Sequence, residues 1–464
     1  METLTPNPSY SVAIRFQTPN HPGTLTLVIQ AVSDLGGNLG QIDLLEQTRE
    51  ISVREMTIDA SSAEHAESII QSVKALSNVV VLSAIDRTFR MHLGGKITVN
   101  SRVPLTHPSD LAMAYTPGVG RVCMAIAKDP DKVYEYTIKQ NMVAIVTDGS
   151  AVLGLGNLGA EASMPVMEGK AMLFKEFGGV DAFPICLATQ DTEEIIETVK
   201  RIAPVFGGVN LEDIAAPRCF EIEARLQKEL NIPVFHDDQH GTAIVVLAAL
   251  TNALKLVKKN LSDVQIVING AGAAGIAVGA LLKKGGATNI WICDSKGIVS
   301  LDRTDLNSAK QAVAVETSGD LAVAMAGADV FLGLSAPGVV SVEMVKSMAA
   351  RPIVFAMANP IPEIQPELVQ GLVAVMATGR SDYPNQINNV LAFPGLFRGA
   401  LDCRATSLTT NMYLQAALTI SDLVPTDELT SINIVPSAFD PRVAQAVAAA
   451  VQKAAREDGV AKLH

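Results

Sequence analysis

Val264-Gln265-Ile266-Val267-Ile268-Asn269-Gly270-Ala271-Gly272-Ala273-Ala274-Gly275 carries the signature of a dinucleotide-binding sheet. An apolar run feeds a turn of the form G-x-G-x-x-G, Ile276 to Lys284 then shows helical spacing, and a second apolar run, Asn289 to Cys293, closes on Asp294, 19 residues beyond Gly275. A glycine turn holds a pyrophosphate only in such a setting: a strand delivers it, the unpaired amides of a helix N-terminus meet the phosphates, and an acid ending the next strand takes the ribose hydroxyls. Gly270, Gly272, Ala273, Ala274, Gly275 and Asp294 are therefore the expected cofactor-binding residues of a dinucleotide fold. Asp294 would repel a 2′-phosphate and so favours NAD, while Ser295 and Lys296 beside it could accept one and keep NADP open. An earlier copy of the motif, Gly154, Gly156 and Gly159, also follows an apolar run, but no acid closes a following strand, so it reads as a structural turn.

Outward from that stretch, Val330 to Leu334, Ile353 to Ala358 and Val373 to Ala377 are short apolar runs separated by helical segments, the pattern of a doubly wound parallel sheet ending in an amphipathic helix, Pro441 to Arg456. Upstream, from Gly94 to Gln239, helix and strand signals mix and end in an acidic, histidine-containing cluster. The first 90 residues read strand, helix, strand, strand, helix, strand (Tyr10–Phe16, Gly23–Leu35, Ile42–Leu45, Ile51–Ile58, Ala63–Leu76, Val79–Ile85), a ferredoxin-like plait. The fold class is α/β in three domains: a plait over 1–90, an α/β substrate and metal-binding domain over 91–240, and a Rossmann domain over 241–464.

Composition narrows the partners. A chain of 464 residues exceeds one hydrophobic core, and a net charge of −12 disfavours nucleic acid and anionic membrane surfaces. Five cysteines, an odd number with no C-x-x-C pair, argue for buried thiols in a reducing compartment. Met1 to Tyr10 has no basic segment followed by an apolar one, and the most apolar helix candidate, Ile244 to Leu250, meets Lys255 before the roughly 20 residues a bilayer requires, so the cytoplasm is the expected location.

The chemistry-bearing residues cluster. Asn210-Leu211-Glu212-Asp213-Ile214 and Phe235-His236-Asp237-Asp238-Gln239-His240-Gly241-Thr242 put four carboxylates on two segments. Should the segments meet, like charges would raise one another's pKa unless a cation neutralised them, and oxygen ligands suit Mg²⁺ or Mn²⁺. His236 and His240, four apart, raise a zinc reading, but no cysteine lies near and no H-E-x-x-H is present. Tyr115, in Ala114 to Gly120, and Lys170, in Pro165 to Met172, stand among small residues where a lysine can act as base and a tyrosine can pass a proton. From the residues alone the function is metal-assisted, nicotinamide-dependent chemistry on a small acid.

Taken together, Tyr115 to Gly120, Val152 to Gly159, Pro165 to Lys170, Asn210 to Ile214, His236 to Thr242, Gly270 to Gly275 and Asn388-Asn389 before Phe393-Pro394-Gly395 resemble the small-subunit, bacterial-type malic enzymes from about Gly94 onward. The resemblance implies oxidative decarboxylation of malate to pyruvate and CO₂ with NAD or NADP. Glu212, Asp213 and Asp238 would ligate Mn²⁺ or Mg²⁺, Lys170 would be the general base and Tyr115 the general acid. Asp237 would support the lysine, and Asn359 and Asn389 would bind substrate or nicotinamide. One departure is Ala151, where the larger-subunit branch carries an arginine. Residues 9–88 resemble the ACT family of regulatory domains, which implies a small effector, such as an amino acid, near Asn20-His21-Pro22-Gly23, and a homodimer or homotetramer. The rival readings are a malate or amino-acid dehydrogenase without decarboxylation, and a metabolite sensor with an inactive enzyme half.

Overall fold

The computed structural model describes residues 5–463; Met1–Leu4, part of the N-terminal stretch read above for a leader, and His464 lie outside them. The chain divides into two compact units, Met1–Thr98 and Val99–His464, so the two catalytic segments expected as separate domains share one unit.

In the first unit the elements run β1 (Asn7–Pro19), α1 (Thr24–Asp34), β2 (Asn38–Gln47), β3 (Ile51–Ala60), α2 (Ala63–Lys74) and β4 (Val80–Asp86). They form a four-stranded sheet of order β2-β3-β1-β4. β1 pairs antiparallel with β3 (Ile14 opposite Met56) and with β4 (Ile14 opposite Ala84). The period of two sends Val12, Ile14 and Phe16 to the face covered by Val28 and Val32 of α1 and Ile69 and Val73 of α2. The Ser62 side chain caps α2 by accepting from the amide of His65. Leu44, Val80 and Leu82 of the sheet are exposed.

The second unit holds two sheets. The smaller is parallel, of order β6-β5-β7-β8, from β5 (Met142–Thr147), β6 (Asp181–Cys186), β7 (Gly208–Leu211) and β8 (Val234–His236). The larger has order β11-β10-β9-β12-β13-β14 from β9 (Gln265–Asn269), β10 (Asn289–Asp294), β11 (Gly297–Ile298), β12 (Val330–Gly333), β13 (Ile353–Ala356) and β14 (Val375–Thr378). Its pairs are parallel except β10 with β11, so it is doubly wound about the gap between β9 and β12, where ligands enter such sheets. β11 carries no apolar run, having only two residues, and gave no signal in the sequence.

Two expectations are corrected. A turn of π-helix at Asp237–Gly241 continues into the helix Thr242–Val257, so the apolar helix is 21 residues long and could span a bilayer by length; 72% of its most apolar window is buried inside the protein, as in a core helix. Of the five free cysteines Cys219, Cys293 and Cys403 are buried, but Cys123 is exposed and Cys186 half-buried.

Candidate active site: a carboxylate cluster beside a glycine turn

The register of the smaller sheet makes the site. Leu211 of β7 lies opposite His236 of β8 in a parallel ladder, so Glu212-Asp213 and Asp237-Asp238 leave the sheet side by side at its carboxyl edge. Oxygens of Glu212, Asp213 and Asp238 lie within 4.8 Å of one another. The helix Ala160–Gly178 buries Ser163, Met167, Lys170, Ala171 and Phe174 at helical spacing, which aims Lys170 at the cluster. Its Nζ donates to Asp237 Oδ2 at 2.5 Å, lies 3.0 Å from Glu212 Oε1, and sits 4.2 Å from the ring centroid of Phe393. Asn389 Nδ2 donates to the same Asp237 oxygen at 2.9 Å, and Asn210 Nδ2 to Glu212 Oε2 at 2.7 Å. Gly241 leaves room for that carboxylate: a Cβ there would lie 2.0 Å from Asp237 Oδ1 and displace it.

Four carboxylates face one ammonium in a buried site. Burial pushes the Glu212 carboxyl well above its usual range, with Asp238 and Asp237 adding to the rise against Lys170. Burial, then Asp238, pushes Asp213 up to about 7, and its Oδ2 is buried without a hydrogen-bond partner among the described residues. Burial works against the Lys170 ammonium, but Asp237 and Glu212 outweigh it and hold its pKa above the usual value. A cluster of this charge with an orphaned carboxylate oxygen fits a hard divalent cation, which takes oxygen ligands and removes the repulsion. Of the histidines of the zinc reading, His240 Nε2 contacts Glu223 Oε2 at 3.0 Å and its ring stacks on Tyr413, while the His236 ring is buried with Nδ1 3.7 Å from Asp238 Oδ2 and no hydrogen bond among the described residues.

The second half of the site is the glycine turn. A Cβ on Gly270 would lie 2.3 Å from Leu334 O, and one on Gly275 1.7 Å from Gly270 O, whereas one on Gly272 meets nothing within 4 Å. Gly270 and Gly275 thus close the turn and seat the helix Ala273–Lys284 on the sheet, and Gly272 leaves the space a phosphate enters. Asn359 follows β13, and the earlier glycine motif reaches it: a Cβ on Gly154 would lie 3.3 Å from Asn359 O.

Asp294 changes the cofactor argument. Its Oδ1 accepts from Lys296 N at 2.9 Å and Arg303 Nη1 at 2.8 Å, and its Oδ2 from Arg303 Nη2 at 2.9 Å and Lys310 Nζ at 2.6 Å. Burial opposes its charge, but Arg303 and Lys310 hold it well below the carboxylate range. A carboxylate offers about four acceptor positions, and these are taken. The expected choice of NAD by charge repulsion at Asp294 therefore loses its basis, because two cations stand on that carboxylate. Neither Arg303 nor Lys310 was visible beforehand, since they reach Asp294 across a loop of no periodic pattern.

Tyr115 makes no hydrogen bond to the cluster. It ends the helix Pro108–Ala114 with its side chain 67% exposed, and its hydroxyl makes no hydrogen bond among the described residues. Arg218, not singled out from sequence, lies beside the loop that holds Ala151: it pairs with buried Asp148 at 2.7 Å and contacts Ser150 Oγ at 3.0 Å, with Nε buried and unpaired. The signal for it was its place six residues after Glu212, at the start of the helix Arg218–Glu229.

Comparison with known proteins bears on this geometry. Residues 94–227 match the malic enzyme N-terminal domain and residues 239–456 the malic enzyme NAD binding domain. The chain belongs to the malic enzyme family. Oxidative decarboxylation of malate with a nicotinamide cofactor is the reaction of that family and the activity of this chain. The NAD-dependent malic enzyme of Geobacillus stearothermophilus is 54% identical over 97% of this chain and 96% of its own length. The NADP-dependent malic enzyme of Escherichia coli is 49% identical over 79% of this chain but only 51% of its own. Among solved structures, the malic enzyme from Pyrococcus horikoshii superposes with a TM-score of 0.78 at 46% identity, covering 82% of this chain and 92% of that one.

Proposed function

We propose that this malic enzyme converts (S)-malate to pyruvate and CO₂ with Lys170 as the general base, beside a Mn²⁺ or Mg²⁺ ion held by Glu212, Asp213 and Asp238, and with NAD as the oxidant. The observation that carries the reading is the meeting of Lys170 Nζ with Asp237 and Glu212 at the rim of the three-carboxylate cluster. The carboxylates favour the Lys170 ammonium while no cation offsets their charge; with one bound, the neutral amine would take the proton of the malate hydroxyl, and Asp237, itself held by Asn389, orients the lysine. When bound, the cation supplies a Lewis acid and the nicotinamide an acceptor for the electron pair of the oxidation. Asn359 and Asn389 hold substrate or nicotinamide, and the turn Gly270, Gly272, Ala273, Ala274, Gly275 takes the pyrophosphate. Asp294 stands at the ribose end with its oxygens taken by Arg303 and Lys310, and the choice of NAD rests on the 54% identity to an NAD-dependent relative.

Tyr115 returns a proton to the carbon that loses CO₂. For that the surface around it has to be covered, because a hydroxyl open to water exchanges its proton with solvent. The helices Pro108–Ala114 and Val119–Lys128 bury none of their residues, and Val99, Met113 and Met124 are exposed with Tyr115. An apolar surface of this kind fits a second copy of the chain in a homodimer or homotetramer. The cytoplasm fits the free thiols.

The assay that decides the reaction offers malate with NAD, then with NADP, with and without Mn²⁺. Pyruvate and CO₂ are expected in equal amounts, only with metal, and faster with NAD. Stoichiometric oxaloacetate in the presence of chelator would overturn the reading.

The first unit we assign as an ACT-type regulatory domain that takes a small effector such as an amino acid. The turn Asn20-His21-Pro22-Gly23 leads from β1 into α1, with Asn20 Nδ2 donating to Thr48 O at 2.6 Å. The full chain should sediment as a dimer or tetramer and change its turnover with some amino acid, whereas a chain lacking residues 1–93 keeps basal turnover and loses the response. Turnover indifferent to every amino acid tried removes the regulatory assignment.

A further inference from the structure

At the edge of the smaller sheet opposite the carboxylates lies a cavity of about 300 Å³. Gln140 and Gly207, which precede β5 and β7, line it together with Asp131, Tyr134, Arg404 and Lys462. The side chain of Arg404 is only 19% exposed, and its Cζ stacks 4.3 Å from the Tyr134 ring centroid. It is poorly satisfied. Nη2 pairs with Asp131 Oδ1 at 3.1 Å, but the Asp131 side chain is 75% exposed, and Arg404 Nε is buried with no hydrogen-bond partner. A guanidinium offers five N–H donors in a fixed plane, and burying one unpaired is unfavourable. Arg404 also keeps a left-handed backbone, φ 50°, which a side-chain-bearing residue adopts at a cost. The second cation, Lys462, forms no ion pair among the described residues. Lys139, 5.2 Å from the same tyrosine ring, is already committed, donating to Ala203 O and Phe206 O.

We propose that this cavity binds a small anion through a carboxylate or phosphoryl head. The Arg404 guanidinium meets its oxygens through the terminal N–H groups that face the cavity, since Nε has no exposed surface, and Lys462 supplies the second charge. The inner cavity sets two cations against one carboxylate, which leaves it positive by one and unsuited to a metal ion. The site is linked to the catalytic one through the helix Phe393–Asp402: Leu401 near its end lines the cavity, and Phe393 at its start lies against Lys170.

Calorimetric titration of the full chain with inorganic phosphate, and separately with succinate, tests this and separates the two head groups. At least one probe should bind once per chain. Its affinity should fall tenfold or more in Arg404→Gln and in Lys462→Gln, the loss of one charged hydrogen bond, and stay unchanged in Lys170→Ala. Lys462 is exposed and holds Cys403 O and Arg404 O by its backbone amide, which a side-chain change leaves in place, so its variant tests the site even if Arg404→Gln fails to fold. The proposal fails if neither probe binds, if both cavity variants bind as the wild type does, or if binding disappears in Lys170→Ala, which would place it at the catalytic carboxylates.

Discussion

Replacing Lys170 with alanine is expected to lower kcat by about 10²–10⁴-fold, the usual contribution of a positioned base, while the dissociation constant for NAD stays within about twofold of wild type, since a twofold change is under 0.5 kcal/mol. The reason is geometric. Lys170 supplies the only ammonium among four carboxylates, with Nζ at 2.5 Å from Asp237 and 3.0 Å from Glu212. No other base stands where it stands. The glycine turn lies on a different sheet and does not depend on the lysine. Truncation also leaves buried carboxylates without their partner, which destabilises the fold, so circular dichroism and cofactor fluorescence have to accompany the kinetics. A kcat equal to wild type would remove the lysine from the mechanism.

The second large effect concerns the cation. Asp213 has a folded pKa of about 7, raised above its ordinary value. Sign follows from linkage: a group raised in the folded state contributes stability at low pH and loses it as pH rises through that value. Metal-free protein should therefore become less stable between pH 6 and pH 8, when the Asp213 carboxyl ionises beside Asp238. Mn²⁺ reverses this, because it competes with the proton for the same oxygens. Saturation at a hundred times the dissociation constant adds about 2.7 kcal/mol. The rise in Tm on adding Mn²⁺ should thus be several degrees, and larger at pH 8 than at pH 6. In Asp213→Asn both the gain and its dependence on pH should largely disappear. An equal Mn²⁺ effect in wild type and variant would place the ion elsewhere.

Specificity for the cofactor shows where local reading falls short. An acid ending the second strand of a dinucleotide fold is easily found, and Asp294 occupies that position at the end of β10. What it does depends on groups up to 16 residues away in sequence, Arg303 and Lys310, which occupy its oxygens. The same holds for the cavity at Arg404, assembled from residues 131 to 462.

By itself the sequence determined those features whose cause is local. The glycine turn is legible because Gly275 answers to the Gly270 carbonyl within one strand, turn and helix, although Leu334 O, which crowds Gly270, comes from beyond β12, and the buried face of the Lys170 helix is legible because helical spacing is set by bond geometry. The acidic pairs could be nominated as ligands for the same reason, residue by residue. The fold decides that they meet, through the pairing of Leu211 with His236, and that Tyr115 stands exposed without a hydrogen bond to them. Strand register, ion pairs across loops and the lining of cavities arise from contacts between distant residues. Those contacts leave no periodic mark on the chain, so they exist for the reader only once it is folded.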